Sequence, residues 1–206
     1  MELTPKQHDA LTELINIGYG RAANALSELT GFRVSLEVPK VAIEDILEIA
    51  PRLGNVLTGE VASVNQVFSG SISGNAMLLL NQDSAVVLSR LFDDDRSSTR
   101  GFDSSAREVV TEIGNILLNA CLGVFGNLLR VQVSFAVPRL QVETIPDLLQ
   151  SVTVNSIDRL THGLMIQTRF SLRASDVSGY LVIILGITSL DRLLRELSLW
   201  EERQNS

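Results

Sequence analysis

Residues 13–31 read ELINIGYGRAANALSELTG, and residues 112–128 read EIGNILLNACLGVFGNL. Both stretches open on Glu-x-x-Asn: Glu13 and Asn16 in the first, Glu112 and Asn115 in the second. Twenty-two residues separate each Asn from a proline, Pro39 or Pro138, so every member of the second triplet lies 99 positions after its counterpart. On background usage one such triplet is a chance event on the order of a few per cent, and a matched pair is far rarer. The chain therefore reads as two copies of one unit.

A second anchor supports the duplication. Ser73-Gly74, followed by Ala76 to Leu80, matches Ser178-Gly179, followed by Leu181 to Leu185, at an offset of 105. The small insertion between the anchors is expected to lengthen the Leu160 to Ser175 region. The predicted boundaries are a first repeat over 1–92, a linker over 93–101 and a second repeat over 102–206, all within a single domain. The linker (DDDRSSTRG) is polar, charged and aperiodic.

Within the first repeat, Thr4-Pro5 reads as a helix cap and first turn, helical periodicity runs to about Thr30, and Gly31 fits the stop. Residues 33–42 alternate as a strand in which Pro39 marks an edge or a bulge. A short helix over about 43–49 is expected to end before Pro51. Strands are expected over 55–68 and 70–80, and a helix over 83–92. The second repeat predicts the same order: a helix over about 104–129, a strand over 130–140, a short helix near 146–150, strands over 161–174 and 178–185, and a last helix over 188–200. Two such copies imply a pseudo-twofold α/β unit whose apolar strands are covered by the long helices.

Composition narrows the function classes. Of 206 residues, 45% are hydrophobic, and mean hydropathy is +0.22, as for a well-packed globular protein. Twenty-four acidic residues outnumber seventeen basic ones, for a net charge of -7. That acidity argues against nucleic acid as a partner and against an anionic membrane surface. One cysteine, Cys121, excludes an internal disulfide and suits a reducing compartment. The N-terminal sequence lacks a signal-peptide pattern, and no apolar run is judged long enough to span a bilayer, so the expected location is the cytoplasm without membrane insertion.

On a helix turning about 100° per residue, Asp9, Glu13 and Asn16 fall within roughly 60° of one another. Leu11, Leu14, Ile15, Gly18, Ala22, Ala25, Leu26 and Leu29 take the other side. Glu108, Glu112 and Asn115 repeat the polar face, opposite Val110, Ile113, Leu117, Cys121, Val124, Phe125 and Leu128. The apolar stripes are expected to be buried, which turns each Glu/Asn pair outward. One exposed Glu-x-x-Asn is ordinary surface. Asn is a mediocre residue in mid-helix, however, and its repetition at one offset calls for a reason beyond solvation.

The pattern Asp9-x3-Glu13-x2-Asn16-x22-Pro39, flanked by NIGYGRAANALSELTG, resembles the signature of the CheC/CheX/FliY phosphatases of bacterial and archaeal chemotaxis. The resemblance covers essentially the whole chain. Two motif copies without a long extension look like the CheC branch; CheX would carry one site and FliY an added switch domain. The resemblance implies a central antiparallel β-sheet with the two motif helices packed side by side. It implies hydrolysis of the aspartyl phosphate of the response regulator CheY, in a two-component pathway serving flagellar motility. Asn16 and Asn115 would orient the attacking water, and Glu13 and Glu112 would contact the regulator. Asp9 and Glu108 would support the same faces. The family needs no cofactor of its own, since Mg²⁺ is supplied by the regulator. The deamidase CheD is a further partner in the family, so the alternative is a non-catalytic adaptor binding CheD or the flagellar switch.

The residue types suit that work. An acyl phosphate is already activated, so the catalyst has mainly to place water in line with the leaving oxygen. A carboxamide offers donors and an acceptor while staying neutral, whereas a second carboxylate would repel the phosphoryl group. A Glu one turn away can pair with a Lys and fix the docking register. Gly18 and Gly20 of the first copy are Leu117 and Asn119 in the second, which ranks the first site ahead. Pro39 and Pro138 read as structural. His8 and His162 lack ligand-spaced partners, so no metal site is expected. Cys121 reads as core, and Gly18-Tyr19-Gly20 has no preceding strand to make it a nucleotide loop. Leu197 and Trp200 fit either a core cap or a contact patch.

Overall fold

The computed structural model describes residues 3–92, 101–128, 130, 132–154, 160–172 and 175–204; of the linker expected over 93–101, only Gly101 falls among them. Helix α1 spans Pro5–Thr30, with Thr4 as its N-cap. The Thr4 hydroxyl accepts from the Gln7 N–H at 3.2 Å while the Gln7 side chain accepts from the Thr4 N–H at 3.1 Å, a reciprocal capping box. Gly31 closes the helix in the left-handed conformation at φ 70°. Strand β1 (Val34–Asp45) and helix α2 (Ile46–Gly54) follow, then β2 (Glu60–Gly70), β3 (Gly74–Asn81) and α3 (Gln82–Phe92).

The second half opens on α4 (Ser104–Leu128), and continues through β4 (Val133–Phe135), β5 (Arg139–Thr144), α5 (Ile145–Val154), β6 (Leu160–Leu172), β7 (Ser175–Gly186) and α6 (Ile187–Gln204). The duplication reaches individual hydrogen bonds. Asp103 caps α4 by accepting from the Ala106 N–H at 3.0 Å, at the position that matches Thr4. Thr12 donates to the His8 carbonyl at 2.8 Å, and Thr111 donates to the Arg107 carbonyl at 2.7 Å.

Among the described residues seven strands form one sheet in the order β1-β6-β7-β3-β2-β4, with β5 also paired to β2, and their pairings are antiparallel. The halves are thus interleaved. The last strand of each repeat meets its counterpart at the centre, β3 against β7, while the first strand of each repeat crosses to pair with the middle strand of the other. The motif helices α1 and α4 pack side by side on one face. With α3 and α6 they bury Leu78, Leu80, Leu181, Ile183, Ile166 and Phe170 beneath them. Helices α2 and α5 cover the other face over Met77, Leu79, Val182 and Ile184. Alternate residues of β3 and β7 thus enter opposite cores, which is why both strands read as continuous apolar runs. This is an α+β fold of duplicated units around a central antiparallel sheet.

Several boundaries differ from the sequence reading. Strand β1 runs on to Asp45, and Pro51 lies inside α2 rather than beyond its end. Asp45 caps α2 by accepting from the Leu47 N–H at 2.9 Å, and buried Ile49 and Leu53 hold the helix to the core across the proline. Pro51, the sixth residue of α2, has no N–H to donate to the Leu47 carbonyl one turn back, so the helix gives up that hydrogen bond. The strand expected over 130–140 is two short strands, with Ala136–Pro138 in the gap between them. In the matching place, the β1–β6 register shifts between Glu37 and Lys40, around Pro39.

Ala25 and Leu29, expected on the buried side of α1, are exposed, Leu29 at 60%. They share a line of the helix with Gly18, which touches α4, but sit two and three turns further along. Tyr19, unassigned to either face from sequence, is buried at 1%. Helix α4 over Ser104–Asn127 is, contrary to expectation, long and apolar enough to cross a membrane by length and composition. Half of its most apolar part is buried within the protein, because α4 must cover both the sheet and α1. Leu197 and Trp200 belong to the core beneath α6.

Candidate functional site

Burial of Leu11, Leu14, Ile15, Gly18 and Ala22 fixes the rotation of α1. Asp9, Glu13 and Asn16 consequently share the outward face, and all three are exposed. Burial of Val110, Ile113, Leu117, Cys121 and Val124 does the same for α4, where Glu108 and Glu112 are exposed and Asn115 is half-buried. Two close approaches seat the helices. A methyl on Gly18 would lie 3.1 Å from the Cys121 Cα on α4, and one on Gly114 would lie 2.6 Å from a Val64 methyl carbon on β2.

Among the described residues neither Glu13 nor Glu112 has a hydrogen-bond or ion-pair partner, and no hydrogen bond reaches the Asn16 carboxamide. Asp9 lies 3.7 Å from the His8 Nδ1, both exposed. The second copy differs. Asn119 donates from Nδ2 to the Asn115 Oδ1 at 2.6 Å. The Gln66 Nε2 on β2 in turn donates to the Asn119 Oδ1 at 3.1 Å and to the Ala136 carbonyl at 3.0 Å.

The two prolines lie in irregular strand segments, Pro39 within the β1 irregularity and Pro138 at the break before β5. That break leaves the Ala136 carbonyl free to accept from Gln66, while its N–H donates to the Val67 carbonyl at 2.9 Å. Sequence reasoning noticed Asn119 as a departure from Gly20. It missed Gln66 and Ala136, because nothing in the chain order brings β2 beneath α4. Cys121 is buried, and burial pushes its thiol far up, which leaves it an inert core residue. Among the described residues no group of three or more His, Cys, Asp or Glu is placed to hold a metal ion.

A duplicated sheet flanked by two adjacent, outward-facing Glu-x-x-Asn helices can be set against known proteins. FliY of Thermotoga maritima superposes with a TM-score of 0.76 at 19% identity, covering 99% of this chain and 100% of that one. A FliM middle domain from H. pylori superposes at 0.63 and 11% identity, covering 94% and 99%. The class is therefore the fold shared by FliY and the FliM middle domain. Within it, the CheC-like family model matches residues 7–43, which hold the first Glu/Asn pair and Pro39. The CheY-P phosphatase CheC of Bacillus subtilis is 23% identical over 166 residues, 79% of each chain. The chain is thus similar to CheC over most of its length and to the CheC-like family model around its first motif.

Proposed function

We propose that this protein is a chemotaxis phosphatase that hydrolyses the aspartyl phosphate of a phosphorylated CheY-type response regulator in the cytoplasm. The observation that carries the reading is the Asn16 carboxamide, exposed on the outward face of α1 beside Glu13 and without a hydrogen-bond partner among the described residues. A group that must enter another protein's active site has to stand clear of its own.

In this reading Asn16 enters the regulator's phosphorylation site, and its Oδ1 accepts a hydrogen from water. That bond leaves an oxygen lone pair aimed at phosphorus, in line with the departing carboxylate oxygen. Glu13 pairs with a cation beside the phosphate and fixes the register; Glu112 and Asn115 do the same work at the second site. Asp9 and Glu108 border the two contacts. The protein brings no cofactor, and Mg²⁺ belongs to the regulator. The adjacency of α1 and α4 gives two docking faces related by the internal repeat. The B. subtilis relative, itself named a CheY-P phosphatase, supports the same reading.

The fold likeness to a FliM middle domain favours a second reading, a docking module for CheD or the flagellar switch without turnover. Following the decay of a phosphorylated CheY-type regulator with and without this protein separates the two. Acceleration by catalytic amounts supports the phosphatase. Unchanged decay, with and without CheD, overturns it in favour of docking.

A further inference from the structure

The second Asn is held by a chain of amides that the first lacks. The polarity of that chain follows from its buried end. A backbone carbonyl can only accept, so Gln66, 2% exposed, must turn its NH₂ toward Ala136. The other Nε2 hydrogen goes to Asn119, which sets the Asn119 Oδ1 toward the strand and its Nδ2 toward Asn115. The Asn115 Oδ1 is therefore the atom engaged. Asn119 reaches it because helical side chains lean toward the N-terminus.

Among the described residues the first half has no equivalent. Position for position, α1 carries Gly20 where α4 carries Asn119, and a Cβ on Gly20 would meet nothing within 4 Å. Gln66 pairs with Ala76, two residues past Gly74. In the second repeat Leu181, two residues past Gly179, pairs with Ile166, a buried hydrocarbon. Both ends of the chain are thus missing beneath α1.

We propose that Asn119 is a latch on the second site. By engaging the Asn115 Oδ1, the atom needed to accept a hydrogen from the catalytic water, it holds that carboxamide back along α4. The first site is then the working site at rest, and the second gains activity when the Asn119–Asn115 bond opens. Asn119 is a positioning residue in this scheme, anchored through Gln66 to the gap that precedes Pro138. The proposal rests on the phosphatase reading and adds the regulation of one of its two sites.

The test isolates the second site with Asn16→Ala and then releases it with Asn119→Ala. The double variant should show a kcat about 2- to 10-fold above Asn16→Ala alone, the population shift one ordinary hydrogen bond can hold back. KM for the phosphorylated regulator should stay unchanged, and adding Asn115→Ala should abolish the gain. A double variant no faster than Asn16→Ala overturns the latch while leaving the phosphatase standing. Unaccelerated decay by the wild-type protein instead ends the phosphatase reading. The side-chain amide spectrum then decides the tie itself: Asn119→Ala should shift and sharpen the Asn115 NH₂ resonances and leave those of Asn16 in place. Unmoved Asn115 resonances overturn the proposal whatever the kinetics.

Discussion

Gly18 on α1 lies against Cys121 on α4 so closely that an added methyl would come within 3.1 Å of the Cys121 Cα and 3.5 Å of the Ala120 carbonyl oxygen. The obstacle is backbone, which cannot swing aside as a side chain can. The residue matching Gly18 in the second copy is Leu117, so the helix pair is not interchangeable at its contact. Gly18→Leu should force α1 and α4 apart and destabilise the protein by at least about 1–3 kcal/mol, the ordinary cost of overpacking. Denaturant unfolding measures it. An unchanged midpoint would mean that the contact does not set the helix spacing.

Tyr19 on α1 and Thr168 on β6 share a buried hydrogen bond of 2.5 Å that ties the first motif helix to a strand of the other repeat. Burial pushes the Tyr19 hydroxyl well above its ordinary value, so it stays protonated throughout the working pH range. Tyr19→Phe should cost about 1 kcal/mol, because the Thr168 hydroxyl is left buried without this partner. Adding Thr168→Val removes the stranded oxygen and should recover most of the loss. A double variant as unstable as the sum of the two singles would contradict this account.

On the proposed function, the two Asn→Ala variants should be unequal. Asn16→Ala should remove most of the regulator-directed activity and Asn115→Ala the smaller share, with the double variant inactive. Because Asn16 is exposed and unpaired among the described residues, its loss should change stability by less than about 0.5 kcal/mol. Initial rates of phosphate release, with thermal unfolding as control, give both numbers. Equal losses from the two singles would argue against an unequal pair of sites.

The substitution Glu13→Gln separates docking from chemistry. It should raise KM while leaving kcat within about 2-fold, and it should flatten the salt dependence of KM, since a paired carboxylate acts mainly on encounter and register. A fall in kcat at unchanged KM would assign Glu13 to the chemical step instead.

Burial, and after it the charge of Asp147, hold the Glu143 carboxyl on β5 above its ordinary value of 4.5. Its Oε1 is buried without a hydrogen-bond partner among the described residues. A carboxyl whose folded pKa is raised contributes stability only while protonated. That contribution is fully present below the unfolded value and is lost as pH rises through the folded one. Glu143→Gln, neutral at every pH, should therefore raise Tm near pH 7, and the difference should fade below about pH 4. A Tm difference independent of pH would exclude ionisation as its origin.

Short-range chemistry along the chain was enough to define both motif helices. Thr4, Pro5 and Gly31 mark the ends of α1 by hydrogen-bonding capacity and backbone preference alone. The 3.6-residue period of the apolar positions turns Glu13 and Asn16 outward without reference to any other element. The 99-residue offset announces the internal repeat before any strand is paired. Pro51 and the split at Ala136–Pro138 were not legible, since burial of Ile49 and Leu53 and pairing with β2 decide them. Interleaving the repeats in one sheet took the folded chain, and so did bringing Gln66 beneath Asn119, from 53 residues away. Strand order and the meeting of distant amides depend on which surfaces bury each other. Local periodicity carries no record of that choice, so two Asn residues alike in sequence stand in different hydrogen-bonding environments in the fold.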